Sequence, residues 1–223
     1  MEKRRTIKEE VEIKGVGLHS GSAVTVKFKP AQSAGCGVKF IRTDLPSQNT
    51  IILSEARVEK LGPQSRETRI SKNDVNIRTI EHLLASLWAL SIDDIEIFMD
   101  SEEFPVMDGS AKDIFTALKH AGFKDQDSKR SVLFIKEPIF CEADSSSITA
   151  FPSLFTKISY ILKFERSELL TQYLELSFKD AETKALIFEK DIAPARTFCF
   201  EEDVEDILKR GLGKGGNYDN TLV

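Results

Sequence analysis

Apolar and polar residues alternate with period two through much of the first third of the chain. Val24, Val26 and Phe28 interleave with Thr25, Lys27 and Lys29, which predicts a half-buried strand stopped by Pro30. Val38 and Phe40, with Lys39 and Arg42 around them, predict another. The connection Gly15-Val16-Gly17-Leu18-His19-Ser20-Gly21 has a glycine content that permits a tight, irregular turn. At Thr79 the period becomes helical: Ile80, Leu83, Leu84 and Leu87 form an apolar stripe, with Thr79 expected as N-cap. Ile95, Ile97 and Met99 then share one face of a strand. Pro105-Val106-Met107-Asp108-Gly109-Ser110 leads into a second helix carrying Ile114, Phe115 and Leu118. Ser110 and Asp113 have capping-box spacing with Asp in place of Glu, and Gly122 stands where a C-terminal glycine belongs.

Lys124-Asp125-Gln126-Asp127-Ser128-Lys129-Arg130 is wholly polar and reads as a linker. The expected division is a domain at 1–123, a linker at 124–130 and a second domain at 131–223. Strands are expected to resume at Val132 to Ile135. Ile158, Tyr160, Leu162 and Phe164 then alternate with Lys157, Ser159 and Lys163, and Leu174, Leu176 and Phe178 mark a further strand. Val204, Ile207 and Leu208 suit a short helix. The expected class is α+β, two halves each with a mostly antiparallel sheet and helices on one side.

Composition narrows the function classes. The 223 residues are 41% hydrophobic and 30% charged, ordinary for a globular protein. Net charge is −5, from 31 Lys and Arg against 36 Asp and Glu, with no basic stripe, so no nucleic-acid partner is expected. Cys36, Cys141 and Cys199 are odd in number and widely spaced, which points to a reducing compartment. The N-terminus lacks the apolar core of a signal peptide, and no apolar run reaches the roughly 18 residues of a membrane span. A cytoplasmic protein is expected.

Few residues suggest chemistry. His82 follows Glu81 at the start of the first predicted helix, where neighbours point about 100° apart. Such a pair suits a metal-bound imidazole beside a carboxylate that handles a metal-bound water, and equally a solvated first turn. His19 reads as a loop histidine bonded to nearby backbone, and His120 as a cation complementing a helix C-terminus. Gly211-Leu212-Gly213-Lys214-Gly215-Gly216 fits G-x-G-x-x-G but follows a helix instead of a strand, so a flexible loop is expected, not a dinucleotide site. Arg196-Thr197-Phe198-Cys199-Phe200 reads as a strand with Phe198 or Phe200 in the core and Cys199 as a small hydrophobe. Asp108 reads as a turn residue or cap.

Taken together and in order, Gly15 to Gly21, Thr79-Ile80-Glu81-His82-Leu83-Leu84-Ala85, Pro105 to Ser110 and Ala195-Arg196-Thr197-Phe198 resemble the UDP-3-O-acyl-N-acetylglucosamine deacetylases of lipid A biosynthesis. The similarity runs from about Thr6 to Val223. It implies two β-α-α-β layered sandwich domains with the active site in the cleft between them. It also implies zinc-dependent hydrolysis of the acetamide on a UDP-linked acyl-aminosugar, by an enzyme expected to be monomeric. Under the resemblance His82 is a zinc ligand, Glu81 the general base, and Thr197 a donor to the oxyanion. Phe198 lines the site, and Leu18 and His19 its edge. An insert at about 198–223 forms an acyl passage lined by Val204, Ile207, Leu212, Gly216 and Thr221. The family's remaining ligands, a His-x-x-x-Asp pair, and its general-acid histidine match no position up to Val223. The zinc site and second domain are therefore expected to be incomplete here, and the alternative is an inactive fragment that keeps part of the binding surface. Nothing transfers to the divergent stretch from Glu55 to Lys72.

Overall fold

A computed structural model describes residues 2–47, 49–62, 65–164 and 170–223. It is mixed α and β and divides into two compact units, residues 1–130 with 188–223, and residues 131–187.

The first unit opens with strands β1 (Lys3–Ile7), β2 (Val11–Val16), β3 (Ala23–Pro30), β4 (Val38–Arg42) and β5 (Thr50–Ile52). Then come β6 (Arg57–Val58), β7 (Arg69–Lys72) and β8 (Val75–Arg78), helix α1 (Glu81–Ala89), strand β9 (Ile95–Met99), helix α2 (Lys112–His120) and strand β10 (Phe123–Lys129). A five-stranded sheet of order β2-β3-β9-β4-β5 carries the core. β3 runs antiparallel to β9 with Val26 opposite Met99 and Phe28 opposite Ile97, and β4 runs parallel to β9 with Phe40 opposite Ile97. These side chains are fully buried, as the period-two pattern predicts. α1 buries Leu83 and Leu87, α2 buries Ile114, Phe115 and Leu118, and the two helices touch each other. β6, β7 and β8 form a separate antiparallel sheet, the first two strands of which lie in the stretch where nothing was expected to transfer.

Several expectations are corrected. Thr79 does not cap α1. Ile80 is the N-cap residue, without a side-chain bond, and Thr79 adopts φ +60° with its hydroxyl turned to Glu103. The capping box at Ser110 and Asp113 is replaced by a tighter turn, in which the Ser110 hydroxyl accepts the Lys112 N–H at 3.2 Å. Gly122 does follow α2 with φ +65°. Residues 124–130 are no linker: 124–129 lie in β10, paired antiparallel with β1. Their polarity reflects a two-stranded ladder with exposed flanks, where Arg5–Asp125 and Lys3–Asp127 pairs replace apolar contacts. Residues 188–223, expected in the second domain, cluster with the first unit. They contain helix α4 (Glu201–Lys209), with Glu201, Glu202 and Asp203 in its first turn and Lys209 in its last, as the helix dipole favours.

The second unit holds hairpins β11 (Ile139–Ala143)–β12 (Ser146–Ala150) and β13 (Thr156–Leu162)–β14 (Gln172–Phe178), then helix α3 (Ala181–Ile187). Ile158 faces Leu176 and Tyr160 faces Leu174, so the predicted alternation does form a ladder. β13 ends before Phe164. Val132 to Ile135 form no strand, and Val132, Leu133 and Phe134 are exposed.

Candidate active site

Glu81 is the first residue of α1, solvent-exposed, and its carboxylate accepts the Thr68 backbone N–H. His82 is half-buried, and burial lowers its pKa, while the Glu81 and Asp108 carboxylates and the Ser110 backbone act the other way. Desolvation wins, so the ring is neutral at pH 7.

The Asp108 turn is built from its own side chain. Asp108 Oδ1 accepts the Ser110 N–H at 3.0 Å and its hydroxyl at 2.6 Å, as expected of a turn residue. Arg196 clamps this turn to the C-terminal segment, donating Nε to the Asp108 carbonyl at 2.9 Å and Nη2 to the Tyr218 carbonyl at 3.0 Å. Gly109 has φ +85°, and a Cβ there would strike the Asn220 carbonyl. That close approach seats Thr197, whose N–H donates to the Gly109 carbonyl at 2.7 Å and whose carbonyl accepts the Leu222 N–H at 3.0 Å.

A cavity of about 200 Å³ brings Glu81, His82 and Thr197 together with Leu18 and Arg66. Leu18, Arg66 and Thr197 also line an adjoining cavity of about 670 Å³. Its other walls include His19, Phe198, Val204, Ile207, Gly216 and Thr221, each expected from sequence. Leu212 lines a separate hollow beside Leu61, Arg69 and Arg210, and its N–H donates to the Ile207 carbonyl at 3.1 Å. Phe198 is no core residue. It is 48% exposed, meets Phe200 edge-on at 6.2 Å, and presents its ring to the cavity. His120 ends α2, exposed.

The match to the family model described as UDP-3-O-acyl N-acetylglycosamine deacetylase covers residues 4–223. The chain belongs to this family. Relatives named UDP-3-O-acyl-N-acetylglucosamine deacetylase include one from Thermodesulfovibrio yellowstonii, 37% identical over 99% of this chain and 72% of its own length. Those from Bdellovibrio bacteriovorus and a Nostoc species are each 34% identical over 99% of this chain, covering 70% and 78% of their own lengths.

Family membership raises the question of zinc. His82 has the character of a ligand, a half-buried ring that burial holds in its neutral form. A catalytic zinc takes three protein ligands. Among the described residues no group of three or more His, Cys, Asp or Glu side chains is arranged to hold a metal ion. The described residues by themselves therefore do not make up a complete zinc site.

Sequence reasoning missed Arg66, which lines both cavities and pairs with Asp203 at 2.6 Å. A lone arginine in an irregular stretch carries no periodic signal. The glycines at 213 and 215 are more than a loose loop: their N–H groups reach His19 Nδ1 at 3.4 Å and the Leu18 carbonyl at 3.0 Å.

Proposed function

We propose that the adjoining cavities take a UDP-linked, 3-O-acylated N-acetylglucosamine, whose acetamide is hydrolysed to acetate and a free amine as a step of lipid A synthesis. The supporting observation is the shared wall: Glu81, His82 and Thr197 line one cavity, and Leu18, Arg66 and Thr197 also line a larger one walled by Phe198, Val204 and Ile207. Its volume suits a small-molecule ligand, and its apolar walls suit an acyl chain.

In this reading the acetamide carbonyl lies beside Thr197, and the Glu81 carboxylate accepts a proton from the attacking water. The new oxygen–carbon bond pushes negative charge onto the carbonyl oxygen, where the Thr197 hydroxyl donates. The carbon–nitrogen bond then breaks, and the departing amine takes up the proton that Glu81 accepted from the water. Zinc dependence belongs to the same reading, with His82 as the one ligand these residues contribute. So do a monomer, a cytoplasmic setting and the layered two-domain arrangement.

In a second reading, the same cavities bind the acylated sugar nucleotide without turning it over. One titration separates the two. The chain is mixed with UDP-3-O-acyl-N-acetylglucosamine, with and without zinc, while acetate release and binding heat are followed. Zinc-dependent acetate release supports hydrolysis and binding without release supports the second reading, and in either case the acylated compound is expected to bind more tightly than UDP-N-acetylglucosamine. Equal affinity for the two would sink the acyl-cavity assignment. Where turnover is measurable, Glu81→Gln is expected to lower it about 10²–10⁴-fold with little loss of bound zinc. Full activity in that variant would remove Glu81 as the base.

A further inference from the structure

Glu103 is completely buried, and the proposed chemistry gives it no part. Its carboxylate is surrounded by donors from two walls of the candidate site. From the glycine-rich connection, Oε1 accepts the His19 backbone N–H at 2.7 Å and Oε2 accepts the Ser20 N–H at 2.7 Å. From the segment entering α1, the Thr79 hydroxyl donates to Oε1 at 3.3 Å, and the Arg78 guanidinium lies 3.5 Å from Oε2. Burial alone would raise the Glu103 pKa, yet these donors with the Ser20 hydroxyl hold it below the ordinary 4.5. The group is a carboxylate at neutral pH.

The neighbouring geometry is built around that anion. A Cβ on Gly17 would run into the Glu103 carboxylate and the Ser20 hydroxyl. Two consecutive N–H groups aimed at one carboxylate make a small backbone anion cradle, filled here by the protein itself. Across the same loop, Gly215 and Lys214 donate their N–H groups to the Leu18 and His19 carbonyls at 3.0 and 3.4 Å. The loop is thus held from both sides. On the other wall, Thr79 at φ +60° stands two residues before Glu81. A β-branched residue in the left-handed region costs free energy, which its bond to Glu103 helps offset.

We propose that Glu103 is a positioning residue that fixes the Leu18–His19 wall of the site against the α1 terminus bearing Glu81 and His82. The proposal rests on the functional reading above, since the two walls matter together only if one ligand touches both. A Gln at 103 keeps the size but turns an NH₂ toward one of the two backbone donors, so one wall loses its anchor. A Val at 79 keeps the shape and the β-branching of Thr and removes only the hydroxyl.

The test is calorimetric binding of UDP-3-O-acyl-N-acetylglucosamine to the wild-type chain and to Glu103→Gln, Thr79→Val and Thr79→Ser. The nitrogen and proton resonances of the His19 ring are recorded on the same samples. Affinity is expected to fall about tenfold in Glu103→Gln and about threefold in Thr79→Val, consistent with losing a charge-assisted and a weaker hydrogen bond. Thr79→Ser, which keeps the hydroxyl, is expected to recover most of the loss. The His19 resonances shift in Glu103→Gln as the ring leaves Gly213. A purely structural role would lower the melting temperature and leave affinity and resonances as they were, and that result overturns the proposal. If Glu103→Gln does not fold, Thr79→Val decides: weaker binding supports the role and unchanged binding refutes it. A wild-type chain that binds none of the compound overturns the functional reading and this role with it. Wild-type binding retained within twofold by both Glu103→Gln and Thr79→Val overturns the role of Glu103 alone.

Discussion

Phe28 and Tyr160 each stand mid-strand in an alternating segment, yet the first is fully buried and the second is 57% exposed. Phe28 belongs to β3, which has β2 on one side and β9 on the other. Tyr160 belongs to β13, whose ladder partner among the described residues is β14. The contrast extends to whole units. Residues 131–187 supply most of the exposed large hydrophobic side chains, from Val132 to Leu186, and Phe178 is their one buried hydrophobic among the described residues. Alternation decides which face of a strand is apolar. Whether that face is covered depends on other elements, and an isolated two-stranded hairpin has little to cover it with.

The largest test of this contrast is truncation. Phe28→Ala leaves a hole in a packed sheet and is expected to cost about 3–5 kcal/mol. Tyr160→Ala removes a ring already in water and is expected to cost less than about 0.5 kcal/mol. Urea denaturation at pH 7 measures both. Equal losses would mean that the β13 face is covered in solution.

The same distinction explains how much was legible beforehand. The strand at Val24 to Phe28 and helices α1 and α2 were readable because each buries a periodic apolar face, and β9 because its apolar positions alternate even though Glu96 between them is buried too. β10 was not, since a polar ladder held by Arg5–Asp125 and Lys3–Asp127 has no apolar period to read. Val132 to Ile135 gave the opposite error, an apolar run that finds no ladder partner. In the candidate site, Glu81, His82 and Thr197 were legible as motifs, and the structure brings them to one cavity. Leu212 lines a separate hollow. Glu103 and Arg66 were invisible for a different reason: their roles come from partners far away in sequence, His19 and Asp203.

Acidic residues repeat the contrast at smaller scale. Glu103 in the first unit is buried among donors, so Glu103→Gln is expected to cost about 1–3 kcal/mol by leaving a backbone N–H unpaired. The sign with pH follows from its lowered pKa. The carboxylate's contribution is present above about 4.5 and is lost as the pH falls through the lower folded value. Melting temperatures from pH 7 to pH 3 should therefore drop more steeply in the wild-type chain than in Glu103→Gln. Parallel curves would show that this carboxylate is not a stabilising anion.

Glu175 is the counterpart in the second unit. Hydrogen bonds from Lys157, Tyr173 and Ser159 push its pKa down to about 2. Lys157 lies 2.8 Å away, but the pair sits on the exposed face of the β13–β14 hairpin. There water competes for every partner, and holding two flexible side chains in one geometry offsets much of the attraction. Linkage gives the same sign as for Glu103, with any contribution present above about 4.5 and lost as the pH falls toward 2. Exposure decides its size. Glu175→Gln is expected to leave the urea midpoint at pH 7 unchanged within error, the smallest effect of the three. Added salt at 1 M, about a 3 Å screening length, should bring the Glu175 titration back toward its ordinary range. A loss on the scale of Phe28→Ala, or a titration indifferent to salt, would mean that this hairpin face is shielded from solvent, and the contrast between the two units would fail at its most exposed point.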